Sequence, residues 1–136
     1  EKGYRQLKIY DKNNELLAVL IQKNSSKIDK NFHTEPSSEF QIATFNLKKD
    51  NNIQRHYHEK QERKVFSTSE VIILQSGKMK ITIYDSDQNK VEDFLVAPGD
   101  MVALVDGGHE IEILEDSNFI EVKQGPYFEQ KDKKRF

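Results

Sequence analysis

The chain carries four histidines, His33, His56, His58 and His109, and no cysteine. Thiolate nucleophiles, disulfides and Cys-ligated zinc are excluded, so any site must be built from imidazole, carboxylate and amine groups. His56 and His58 stand at i and i+2 in the run Ile53 to His58. In a strand such residues share a face, so both imidazoles aim at one point while Tyr57 looks the other way. Neutral imidazole is the commonest side chain to bind a metal. Glu70 opens the next strongly β-forming run, and His109 opens a later one behind Asp106-Gly107-Gly108. His33 lies in a stretch rich in Ser and Pro with no partner near it in sequence, and reads as a surface histidine.

The elements that must position these groups are short β-runs parted by turn residues. Leu7 to Tyr10, the turn Asp11-Lys12-Asn13-Asn14 and Glu15 to Gln22 predict an N-terminal hairpin over residues 4–22. Residues 23–38 read as a loop, Phe40 to Leu47 as a strand, Lys48 to Asn52 as a turn, and Ile53 to His58 as the strand that carries the histidine pair. The charged stretch 59–67 reads as a loop or as one helical turn. Glu70 to Leu74 and Met79 to Tyr84 are strands parted by a turn at Ser76-Gly77-Lys78. Val91 to Ala97, Met101 to Val105, His109 to Leu114 and Phe119 to Lys123 follow, with Pro98-Gly99-Asp100 closing a tight corner through the Asp100 side chain. Gly107-Gly108 supplies positive φ ahead of the His109 strand. Gly125-Pro126 stops the ladder, because Pro has no N–H to give. About ten strands and no long amphipathic helix predict an all-β, antiparallel sandwich or barrel.

A length of 136 residues suits one domain, here expected as residues 1–136 with a barrel over about 39–124 and a tail over 125–136. Net charge is −2, which gives neither nucleic acid nor an anionic membrane a basic surface to bind. The basic residues Lys131, Lys133, Lys134 and Arg135 read as a solvated tail. The longest apolar run, Leu16 to Ile21, is far too short to span a bilayer. The lack of cysteine fits a cytoplasmic setting. Apolar Leu16, Leu17, Val19 and Ile21 offer either a homodimer interface or an extension of the barrel's own sheet.

The order His56-x-His58, Glu70 with Gly77 seven positions on, then Pro98-Gly99-Asp100 and His109, resembles the two motifs of the cupin superfamily. The likeness spans residues 56–109 through the motifs and about 39–124 with flanking strands. The ending Glu121-Val-Lys-Gln-Gly-Pro-Tyr127 is similar to that of a group of small cupins. The resemblance implies a double-stranded β-helix, or jelly-roll barrel, with one divalent transition metal (Fe, Mn, Ni, Cu or Zn) held at one end by His56, His58, Glu70 and His109. Cupins usually place the glutamate nearer the second histidine, a spacing that Glu62 meets. Glu70 is preferred because a strand fixes its direction, whereas Glu62 lies in a charged loop. Three imidazoles and a carboxylate suit a transition metal and are too rich in nitrogen for Ca or Mg.

Gln41, Lys123 and Tyr127 are candidate contacts for a small ligand at the barrel mouth, such as a sugar or a carboxylate. The leading function is a metal-dependent small-molecule enzyme of dioxygenase, isomerase or epimerase type. The alternatives are a non-catalytic binding or sensing module, and a metal-free sugar-nucleotide isomerase or epimerase in which the histidines act as acid and base.

Overall fold

The computed structural model of the protein describes residues 6–23 and 29–136. In chain order the elements are β1 (Gln6–Tyr10), β2 (Leu16–Ile21), β3 (Lys30–Phe32), β4 (Ala43–Phe45), β5 (Glu70–Tyr84), β6 (Lys90–Val96), β7 (Met101–Leu104), β8 (Gly108–Lys123) and one helical turn, α1 (Glu129–Asp132). They gather in two compact units, one of residues 6–23 and 67–136 and the other of residues 29–66. Residues 4 and 5 of the expected N-terminal hairpin, and Ser25-Ser26 of the loop after it, lie outside the described residues.

The larger unit is an all-antiparallel sheet of six strands, curled strongly into a half-barrel. Its order is β1-β2-β7-β5-β6, with β8 on β5. β2 reads Leu-Leu-Ala-Val-Leu-Ile and sits between β1 and β7. Leu17, Ala18, Val19, Leu20 and Ile21 are all buried, so both faces of the strand are covered, as a continuous apolar run requires. Of the two sequence readings of this hairpin, extension of the sheet is the one observed.

β5 is the spine. Glu70–Ile73 pairs with β7, Met79–Tyr84 pairs with β6, and β8 follows β5 along its other side from Glu70↔Lys123 to Tyr84↔Gly108. The sequence predicts two strands on each side of a turn; the structure instead has β5 and β8 each running through. The register slips at Leu74/Ser76, Ser76/Lys78 and Lys78/Met79, and such bulges bend a strand without ending it. Gly77 sits at φ +95°, and a Cβ there would lie 2.3 Å from the Asp116 carbonyl oxygen. Ser117 Oγ locks the corner by accepting from the Lys78 N–H (3.1 Å) and donating to the Glu115 carbonyl (2.7 Å). Gly77 therefore serves a bend of two strands together rather than a hairpin turn.

Inside the curl, Ile72, Leu74, Met79, Ile81 and Ile83 of β5 pack with Ile9, Leu20, Phe94, Val96, Val102 and Leu104. Each such side chain contributes roughly 1.5–3 kcal/mol on burial. Asp100 closes the Pro98 corner as expected: Oδ2 accepts from Ala97 N–H (2.9 Å), and Oδ1 also accepts from Lys23 N–H (2.9 Å) just after β2. Gly99 and Gly107 take positive φ, at +91° and +74°. Gly108 belongs to β8 instead.

In the smaller unit β3 pairs antiparallel with β4, with Asn31 opposite Thr44. The expected strand Phe40 to Leu47 is thus only Ala43–Phe45, and the expected loop 23–38 contains β3. Residues 48–51 turn as expected, Asn51 N–H donating to Lys48 C=O (3.2 Å). The strand expected over Ile53 to His58 is not formed; residues 51–66 hold no regular structure and are exposed. Strand preference is largely a preference for packing against neighbours, and this mostly polar run has no ladder partner among the described residues.

Candidate functional site

The doubled ribbon of β5 and β8 brings its own two ends together. Glu70 begins β5, and His109 pairs with Ile83 near the end of that strand. Along a straight strand the two would be roughly 40 Å apart at about 3.3 Å per residue. Instead His109 Nε2 donates to Glu70 Oε1 at 2.8 Å. The Glu70 side chain is 11% exposed and that of His109 34%. A buried carboxylate is thus satisfied by an imidazole whose other edge is open, as a group that orients and a group that reacts would be arranged.

Cross-strand neighbours complete the cluster. Lys123 is directly opposite Glu70, and Glu121 is two residues along the same face. The hydrogen bond from His109 holds the Glu70 carboxyl below the usual carboxylate range; burial opposes this, and Glu121 and Lys123 reinforce it. Contact with Glu70 pushes Glu121 up, because two adjacent carboxyls favour keeping one proton. Lys123 is committed elsewhere: its Nζ lies 3.2 Å from Asp132 Oδ2, 3.6 Å from Glu121 Oε2, and 4.9 Å from the centre of the Tyr127 ring. Its bond to Asp132 raises its pKa. The structure therefore brings Lys123 and Tyr127 together at the Glu70 end of β8.

His56 and His58 belong to the smaller unit. Their rings meet edge to face, centroids 5.3 Å apart, so the pair is adjacent even without a strand. His56 Nδ1–H donates to Gln54 C=O at 2.7 Å, which leaves Nε2 with a free lone pair. Glu62 lies exposed in the irregular stretch. Gln41 organises a turn: its Nε2 donates to the carbonyls of Glu35 (2.8 Å) and Ser38 (3.1 Å), and its Oε1 accepts from Thr34 Oγ1 (3.1 Å). Its amide is engaged by the chain itself.

His33 corrects the surface reading. It is 3% exposed, its ring Nε2 bonds Thr44 Oγ1 at 2.9 Å, and its backbone N–H donates to Ile42 C=O at 2.8 Å. Only the β3–β4 pairing, which the loop reading concealed, places Thr44 beside it. Glu121 is the group that sequence reasoning missed. Its signal was available in the antiparallel alternation that sets Glu121 and Lys123 on the face of Glu70.

The donor chemistry of Glu70 and His109 fits a divalent transition metal. Among the described residues no three His, Asp or Glu side chains are gathered tightly enough to hold one. The larger unit by itself thus offers a pair of donors, fewer than the usual four.

Residues 12–96 match the family described as "Domain of unknown function (DUF6016)". The chain belongs to this DUF6016 family. The matched DUF6016 region takes in His56, His58 and Glu70 and stops before the Pro98 corner and His109. No curated protein and no solved structure matches the chain. No helix among the described residues is long and apolar enough to cross a membrane.

Proposed function

We propose that this chain is a metal-binding, small-molecule domain of cupin type, with Glu70 and His109 as ligands to one divalent transition ion. The observation that carries the reading is the 2.8 Å meeting of Glu70 with His109 at one end of a curled antiparallel sheet. One residue comes from each of the two motif segments, and the doubling of β5 on itself joins them. The curled sheet is then one part of a jelly-roll barrel, and the lack of cysteine suits a cytoplasmic setting.

On this reading the ion supplies an electrophilic centre for a small oxygen-rich substrate, a sugar or a carboxylate, in a dioxygenase, isomerase or epimerase reaction. Glu70 anchors from a buried position, while His109 stands at the edge that a ligand reaches. Elemental analysis of tag-free protein tests the reading. One transition ion per chain is expected, lost in Glu70→Gln/His109→Ala. Full metal content in that variant would contradict the reading.

A second reading rests on the same hydrogen bond. An imidazole oriented by a buried carboxylate is also a general base, and Glu121 is a neighbouring acid. Turnover of a nucleotide sugar that persists in chelator would favour this metal-free isomerase or epimerase.

A further inference from the structure

β8 has one sheet neighbour among the described residues: it pairs with β5 along its length, and its other edge carries no strand. A strand edge left this way keeps backbone N–H and C=O groups with which a further strand can pair. The register slips between Leu74 and Met79 divide the edge, and from Gly108 to Ile113 the ladder on Tyr84 to Met79 is regular.

Along that stretch the two faces of β8 differ. Ile111 and Ile113 stand opposite Ile81 and Met79, which are fully buried inside the curl. Ile111 packs against that core, yet Ile113 stays 49% exposed. The apolar row of the curl therefore runs out to the edge without being covered there. Glu110 and Glu112 alternate with the isoleucines and lie on the other face, opposite Thr82 and Lys80. Both glutamates are exposed. Lys80 Nζ lies 3.7 Å from Glu112 Oε2, and Glu110 has no ion-pair partner among the described residues.

These charges decide what can add to the edge. Side chains that meet across two paired strands lie on one face of the sheet. A second β8 would set its own glutamates on the side of Glu110 and Glu112, which like-charge repulsion disfavours. A strand whose alternate residues are lysine or arginine would set cations there instead, and would lay its apolar residues beside Ile111 and Ile113.

We propose that the free edge of β8 over residues 108–113 takes up an extended segment of another protein, one in which basic and apolar residues alternate, and adds it to the sheet as a further strand. The binding rests on the backbone edge and on the alternation of β8, and holds with or without a metal at His109.

Hydrogen exchange of the full chain, read by mass spectrometry with and without a soluble peptide of alternating Lys and Val, tests this. Amides of residues 108–113 are expected to exchange several-fold more slowly with the peptide, and those of residues 119–123 at their former rate. Glu110→Gln/Glu112→Gln should weaken binding several-fold, read by fluorescence anisotropy of the labelled peptide. A peptide with Pro in place of each Val keeps the charge but lacks those N–H groups, and should leave the edge unprotected. Equal protection by the Pro peptide would reduce the contact to charge alone and overturn strand addition. Protection that appears without peptide and grows with protein concentration would make a second copy the occupant, which also overturns the proposal. So would exchange over residues 108–113 that the Lys/Val peptide leaves unchanged.

Discussion

The Glu70 carboxylate accepts a hydrogen bond from the His109 imidazole at 2.8 Å, although almost the whole of β5 separates the two along the sheet. That contact exists only because β5 and β8 bend together at Gly77 and Ser117. The corner, the pair and the proposed site are therefore one structural unit, and changes at the corner should be felt at the pair.

Gly77→Ala places a Cβ 2.3 Å from backbone oxygen of Asp116, at a φ of +95° that side chains rarely adopt. We expect a loss of about 2–4 kcal/mol in urea unfolding, combining backbone strain with the displaced strand. Gly99→Ala shares the positive φ but meets only the flexible Lys23 side chain, and should cost about 1–2 kcal/mol. Equal losses in the two variants would contradict the role given to the corner.

Asp100 joins the Pro98 corner to the residue that follows β2, and it is 4% exposed. Asp100→Ala leaves the Ala97 and Lys23 N–H groups without their acceptor, at about 1–3 kcal/mol for each group left buried and unpaired. Asp100→Asn keeps one carbonyl oxygen and should recover roughly half of the loss. Denaturant midpoints of the two variants check this.

The carboxyl pair sets opposite pH dependences. Glu70 is held low, so its contribution is complete above the ordinary carboxylate range and fades as pH falls through its folded value. Glu121 is held high, so its contribution is complete below that range and fades as pH rises through its folded value. Glu70→Gln should therefore lower stability at neutral pH and flatten the acid limb of a stability profile. Glu121→Gln mimics the protonated acid and should leave neutral-pH stability equal to or above the wild type. A drop in stability for Glu121→Gln at neutral pH would show that the two carboxyls do not share a proton.

Core substitutions should separate the inside of the curl from its rim. Ile81 is fully buried, and Ile81→Ala should cost about 2–5 kcal/mol. Ile113 pairs with Met79 in the adjoining strand yet stays 49% exposed. Ile113→Ala should cost less than about 1 kcal/mol. Thermal or chemical unfolding distinguishes the two.

The sheet was legible where turn residues bound a β-forming run, as in β1, β2, β6 and β7, and most plainly where a short polar turn joins paired strands, as between β1 and β2 and between β5 and β6. Glu70 and His109 were named together through the motif order that resembles cupins, which says nothing of the bend that brings them into contact. What was not legible was continuity. Ser76-Gly77-Lys78 has the composition of a hairpin turn, and only the bent β8 alongside makes it a corner within one strand. The strand expected over Ile53 to His58 rested on local preference alone. Its polar residues find no ladder partner among the described residues, so the i, i+2 geometry was lost while the two rings stayed adjacent. His33 was misread for the converse reason, because its partner Thr44 arrives through the short pairing of β3 with β4.

The most direct test of the metal reading is calorimetric titration of Zn(II) and Mn(II) into chelator-treated wild type, His109→Ala and Glu70→Gln. The account predicts one site per chain in the wild type, with affinity falling at least about tenfold in each variant, or about 1.4 kcal/mol. Wild-type protein that takes up neither ion, or variants that bind as tightly as the wild type, would contradict it.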